Sequence, residues 1–179
     1  MVKHAIVADI GGTNARFSRV DLDTLALDKV VVYPCADFAT LSLALQYYRE
    51  QQGLTDIAHV AVAIACPVTG DFVKMTNFHC EFSIAQIKAE LGLAEFLVLN
   101  DFTAVAMSLP AIGDAELVKT GAGERDLSKP MAVLGAGTGL GVAHLIPTAQ
   151  GYIPLPGEGG HTDWTAQNDQ EWFIQRYLA

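Results

Sequence analysis

Ile6-Val7-Ala8-Asp9-Ile10-Gly11-Gly12-Thr13-Asn14-Ala15-Arg16-Phe17-Ser18-Arg19-Val20 decides the fold. An apolar run enters a glycine turn and leaves it as a second strand, because Arg16 to Val20 alternates polar and apolar with a period of two. A dinucleotide fingerprint needs a helix after the last glycine and a P-loop needs Gly-Lys-Ser/Thr; neither is here. Glycines lack Cβ, so backbone amides can approach an anion closely and positive φ costs little. Asp9 at the strand end could orient a Mg²⁺ ion or its water shell. A tight β-hairpin with no ligand satisfies the same residues.

Outward from this stretch the pattern is α/β. Val30 to Tyr33 reads as a strand stopped by Pro34, and Thr40 to Gln52 has helical spacing ended by Gly53. His59 to Ala65 is a continuous apolar strand, and Phe72 to Met75 a shorter one. Ser83 opens a helix with capping-box spacing to Gln86, closed by Gly92. Leu97-Val98-Leu99 is a buried strand, followed by a helix from Thr103 to Ser108. A domain boundary is expected near residue 110, giving segments 1–110 and 111–179. In the second, Ala132-Val133-Leu134-Gly135-Ala136-Gly137-Thr138-Gly139 repeats the strand-and-glycine-turn unit. Leu140 to Ile146 continues it as a strand, which argues against a dehydrogenase-type turn. A further strand is expected around Tyr152-Ile153 and a helix over 168–179.

Composition bounds the function. The chain has 179 residues, 51% hydrophobic, with a net charge of -9. Its mean hydropathy is +0.28. An acidic surface disfavours general nucleic-acid binding, which needs cations to displace counterions. No apolar stretch is long enough to span a membrane, and Met1-Val2-Lys3-His4 leads into a strand and not a secretory segment. A cytoplasmic protein is expected. Cys35, Cys66 and Cys80 lack the spacing of a zinc site or disulfide framework and read as buried thiols.

Asn100-Asp101 follows the Leu97–Leu99 strand at its carboxyl end, where ligands of open α/β sheets collect. A carboxylate there can take the proton of a poorly nucleophilic hydroxyl, and Asn100 offers a donor and an acceptor to neighbouring hydroxyls. Asp101 is also a good helix cap, and the two roles are compatible. Two phosphate-type turns with a carboxylate between them point to phosphoryl transfer onto a small polar acceptor. Pro156-Gly157-Glu158-Gly159-Gly160-His161 reads as a loop carrying hydrogen-bonding groups. Glu158, His161 and Asp163 are also possible metal ligands. Arg16 reads as a surface or ion-pair residue, Trp164 and Trp172 as packing residues, and His144 as a core or pocket-lining histidine.

Together these motifs resemble the bacterial glucokinase family, within the superfamily of sugar kinases, actin and heat-shock chaperones. The resemblance rests on Asp9-Ile10-Gly11-Gly12-Thr13-Asn14-Ala15-Arg16, on Ala63-Ile64-Ala65-Cys66-Pro67-Val68-Thr69-Gly70-Asp71 and on Met75-Thr76-Asn77. It extends through Leu99-Asn100-Asp101-Phe102-Thr103-Ala104, Gly135-Ala136-Gly137-Thr138-Gly139-Leu140-Gly141 and Leu155-Pro156-Gly157-Glu158-Gly159-Gly160-His161. It implies an actin-like ATPase (ribonuclease H-like) fold, a mixed sheet with β-hairpin phosphate loops and a truncated second domain. It implies transfer of the ATP γ-phosphoryl group to the 6-hydroxyl of glucose, with Mg²⁺. Asp101 would be the general base; Asn100, Asp101, Glu158 and His161 would hold the sugar. Ala8, Asp9, Ile10, Gly11, Gly12 and Thr13, with Gly137 and Thr138, would hold the phosphates. Family members continue well beyond residue 179 and commonly form homodimers. Glu171-Trp172-Phe173-Ile174 lacks the cysteines of the zinc-binding repressor and kinase branch, which favours the zinc-free branch. A non-catalytic sugar- or nucleotide-sensing module on the same fold is the competing expectation.

Overall fold

The computed structural model describes residues 3–75, 81–137, 139–163 and 165–178. Strands β1 (His4–Ile10), β2 (Asn14–Asp21) and β3 (Leu27–Pro34) form an antiparallel meander, followed by helix α1 (Leu41–Gln52). Next come β4 (His59–Ile64), the short hairpin β5 (Phe72–Lys74) and β6 (Glu81–Ser83), helix α2 (Ile84–Glu90) and β7 (Glu95–Asn100). The main sheet has the order β3-β2-β1-β4-β7, with β4 parallel to both β1 and β7. This mixed order, with the meander continued by two parallel strands, is the ribonuclease H-like arrangement of the actin-like ATPase fold.

The parallel strands place their carboxyl ends together. Ile10 lies beside Ile64, and Ile64 beside Asn100. The first glycine turn, the Cys66-Pro67 loop and Asp101 therefore leave the sheet at one end.

Beneath α1 and α2 lies the principal core. Ile6, Phe17, Leu45, Tyr48, Val62 and Ile64 are almost wholly buried. Thr40 caps α1 by accepting from the Leu43 N–H, and Ser83 caps α2 by accepting from the Gln86 N–H at 3.0 Å. Gln86 does not complete the capping box, since its amide reaches Glu90 instead. Asp71 reinforces the α2 start, taking the Ser83 hydroxyl at 2.5 Å and the Ala85 N–H at 2.8 Å; these hold its carboxyl below the usual range. Cys35 and Cys66 are buried, as expected, while Cys80 lies outside the described residues.

Tyr48 stacks on Phe17 and donates its hydroxyl to the Lys29 carbonyl at 2.9 Å. Burial pushes its phenol up to about 12. The folded chain thus holds this proton more tightly than the unfolded one. The associated stability is complete below about pH 10 and is lost as pH rises towards about pH 12. Tyr48→Phe is expected to flatten the stability curve across that window, as read by urea unfolding at about pH 9 and about pH 11.

Helix α3 (Asp101–Ser108) leads through an irregular segment to β8 (Met131–Ala136), β9 (Leu140–Thr148) and β10 (Gly151–Glu158), a second antiparallel meander. Helix α4 (Asp169–Leu178) follows. Ala106 of α3 packs with Ala143 and Leu145 of β9 in a second small core. That core bridges the boundary expected at residue 110, so α3 serves both sheets.

Several local expectations are corrected. Strand β10 runs through Glu158, so Glu158 ends a strand and does not lie in a loop. Pro154 and Pro156 fit because β10 is an edge strand, where a missing N–H can face away from β9. His144 is exposed, not a core residue. Trp172, expected to pack, is 55% exposed among the described residues, with the Arg176 guanidinium over its ring.

Candidate active site

A cleft of about 870 Å³ opens where the two sheets meet α3. Gly12 reaches it from the β1–β2 turn, and Cys66 and Pro67 from the loop after β4. Asn100, Asp101 and Phe102 enter at the start of α3. Gly137 and Gly141 come from the β8–β9 hairpin, Glu158 from the end of β10 and His161 from the turn behind it. The four sugar-site residues expected from sequence are thus gathered in one concavity.

Asn100, and not Asp101, caps α3. Its Oδ1 accepts from the Thr103 N–H at 3.2 Å, and Asp101 occupies the first helical position. The Asn100 amide also donates from Nδ2 to Asp101 Oδ1 at 3.0 Å and to the Cys66 carbonyl at 3.4 Å. The Phe102 N–H donates to the same Asp101 oxygen at 2.8 Å. One carboxylate oxygen is therefore pinned twice at a helix N-terminus, where the axial dipole favours its negative charge. Among the described residues no hydrogen bond reaches Oδ2.

Of the segment Ala8–Thr13, only Gly12 lines the cleft. Ala8 and Ile10 are core residues of a strand paired on both sides. The Asp9 carboxylate meets Arg16 at 2.8 Å on the open sheet face, the ion pair expected of Arg16. The N–H groups of Gly11 and Gly137 close their own turns, onto Asn14 O and Gly139 O. Gly12 and Thr13 keep N–H groups without a partner among the described residues. Thr138 lies outside the described residues. Gly11, Gly135, Gly137 and Gly141 are not among the described glycines with positive φ, so conformational freedom does not explain these four.

Steric space explains two of them. Gly135 and Gly141 face one another across the β8–β9 ladder. A Cβ on Gly141 would fall 2.0 Å from the Phe102 ring, and one on Gly135 would fall 2.7 Å from it. Sequence reasoning missed Phe102; its signal is an aromatic directly after Asp101 and a glycine pair flanking a distant turn.

The cleft's charge is one-sided. Asp101 and Glu158 line it, and among the described residues no Lys or Arg does. A polyphosphate would therefore need backbone N–H groups and a divalent cation for neutralisation. Among the described residues no three His, Cys, Asp or Glu side chains cluster as a metal site.

A second cavity of about 410 Å³ shares Asn100 and Glu158 with the cleft. Thr103 borders it, and its buried hydroxyl has no hydrogen-bond partner among the described residues. Leaving such a group unpaired costs about 1–3 kcal/mol. Thr103→Val keeps the shape and is expected to stabilise the ligand-free chain by about 1 kcal/mol, read by chemical denaturation.

Comparison with known proteins identifies relatives of the chain. The Glucokinase family model matches residues 6–179. Glucokinase from Pectobacterium atrosepticum is 47% identical over 171 residues, covering 96% of this chain and 53% of that protein. Glucokinase from Cronobacter sakazakii is 43% identical, covering 99% and 55%. The crystal structure of glucokinase from an Antarctic psychrotroph superposes with a TM-score of 0.85 at 32% identity, over 99% of this chain and 57% of that one. The chain spans about half the length of the curated relatives it matches. Sheet order, paired glycine hairpins, the clamped carboxylate and a family match from residue 6 to the last residue lead to one conclusion: this chain belongs to the glucokinase family.

Proposed function

We propose that the chain provides the acceptor side of a glucokinase site, which transfers the γ-phosphoryl group of ATP to the 6-hydroxyl of glucose. The carrying observation is Asp101, with Oδ1 fixed by Asn100 and Phe102 and Oδ2 unengaged among the described residues. In this reading the 6-hydroxyl gives its proton to Oδ2 as its oxygen attacks the γ-phosphorus. The bond to the bridging oxygen breaks and ADP leaves. Glu158 and His161 accept and donate hydrogen bonds at the other hydroxyls. Asn100, whose donors are committed, offers the sugar its remaining Oδ1 lone pair.

Gly12 and Thr13 offer backbone N–H groups to the phosphates, and the β8–β9 hairpin brings Gly137 to the same cleft. The acidic lining, with no Lys or Arg among the described residues, fits a nucleotide that arrives with Mg²⁺; Asp9, which lies outside that lining and pairs with Arg16, would reach such an ion only through its water shell. Bound Mg²⁺ supplies neutralisation of phosphate charge. Closure of the cleft would exclude water and so limit ATP hydrolysis. A cytoplasmic homodimer belongs to the same proposal; among the described residues no helix is long and apolar enough to cross a membrane.

The test is ADP release with Mg-ATP, with and without glucose. Glucose-dependent release of ADP and glucose 6-phosphate supports the reading. Tight sugar binding without turnover, in the chain and in a protein of the relatives' full length, would favour the sensing alternative.

A further inference from the structure

The second glycine-rich turn carries a constraint that no phosphate imposes. Gly135 and Gly141 are a cross-strand pair, and the Phe102 ring occupies the space that a Cβ on either would need. A glycine within a strand marks a close approach of another group. Here that group comes from the residue bonded to Asp101. The same Phe102 donates its N–H to Asp101 Oδ1, while its ring packs on the small core of Ala106, Ala143 and Leu145. One residue thus touches the carboxylate through its backbone and the hairpin root through its side chain.

We infer that Phe102 is a positioning residue, which locks the glycine hairpin to the start of α3 so that hairpin and carboxylate move together. The inference rests on the proposed function for its catalytic meaning. Its physical content is a coupling between Gly141 and Asp101 that runs through the ring. Close-packed interiors transmit such displacements, and a shift of about 1 Å at a reacting group can cost about 100-fold in rate.

The test compares Gly141→Ala, Phe102→Ala and the double variant. The first readout needs no ligand: hydrogen exchange at the Phe102 and Thr103 amides, which bond Asp101 and Asn100. The Leu45 amide of the main core serves as the internal reference. Gly141→Ala is expected to speed exchange at Phe102 and Thr103 about tenfold relative to that reference, and to change it less than about twofold in the Phe102→Ala background. The second readout is steady-state kinetics. Phe102→Ala should lower kcat about 100-fold with the glucose KM held within about threefold, and Phe102→Tyr should restore it. Adding Gly141→Ala to Phe102→Ala should cost nothing further.

Should Gly141→Ala fail to fold, Gly135→Ala offers the milder contact and replaces it. Equal effects of the glycine change in both backgrounds overturn the inference, as does a Phe102→Ala variant that loses stability but keeps kcat. Coupled exchange in a chain that transfers no phosphoryl group would uphold the positioning role and count against the proposed function instead.

Discussion

Asp101→Asn is expected to lower the kcat for glucose phosphorylation by about 100- to 10,000-fold while leaving the fold intact. The substitution is nearly isosteric. The new side-chain oxygen can still accept from the Phe102 N–H and the Asn100 amide, so the clamp at the head of α3 survives. What disappears is the basic oxygen that takes the proton. The glucose KM should stay within a few-fold, since the amide still fills the same space in the cleft. A coupled assay of ADP release, run beside the parent chain, reads kcat, and the far-ultraviolet spectrum reads the fold. Equal turnover in parent and variant would remove Asp101 from its assigned role. A loss of sugar affinity with kcat unchanged would assign it to binding alone.

Leu45→Ala should destabilise the chain by about 2–5 kcal/mol. Leu45 is 0% exposed on α1, within the core formed beneath the main sheet. Truncation removes buried methyl groups and leaves a void that a close-packed interior fills only in part. For a domain whose total stability is about 5–15 kcal/mol, this is a large share. Urea unfolding should give a lower midpoint with an unchanged slope. A shift below about 0.5 kcal/mol would mean that the site collapses freely and that α1 is not a fixed wall of the core.

Much of the fold was legible because its signals are local. The alternation from Arg16 to Val20 gave β2 without help from tertiary structure, and Thr40 and Ser83 cap the helices their spacing announced. That Asn100, Asp101, Glu158 and His161 belong together was legible only through the family resemblance, since Asn100 ends a strand of the main sheet and Glu158 one of the smaller sheet. Three features were hidden. Asn100 and Asp101 are both good caps, and only the observed hydrogen bond from Thr103 decides between them. Pro154 and Pro156 argue against a strand unless it is known to lie at an edge, which sequence does not say. The glycines at 135 and 141 looked like ligand-binding positions because their neighbour, Phe102, is more than thirty residues away in the chain.

The prolines of β10 also give the smaller sheet a polarity. Pro154 and Pro156 are two residues apart and so share an orientation, and neither can donate a hydrogen bond outward. A strand arriving along β10 would find no N–H donor at either proline. On the opposite side β8 has no such interruption between Met131 and Ala136, and its far edge is unpaired among the described residues. Addition of a strand is thus chemically permitted on one side and discouraged on the other. The two edges are therefore unequal, open at β8 and blunted at β10.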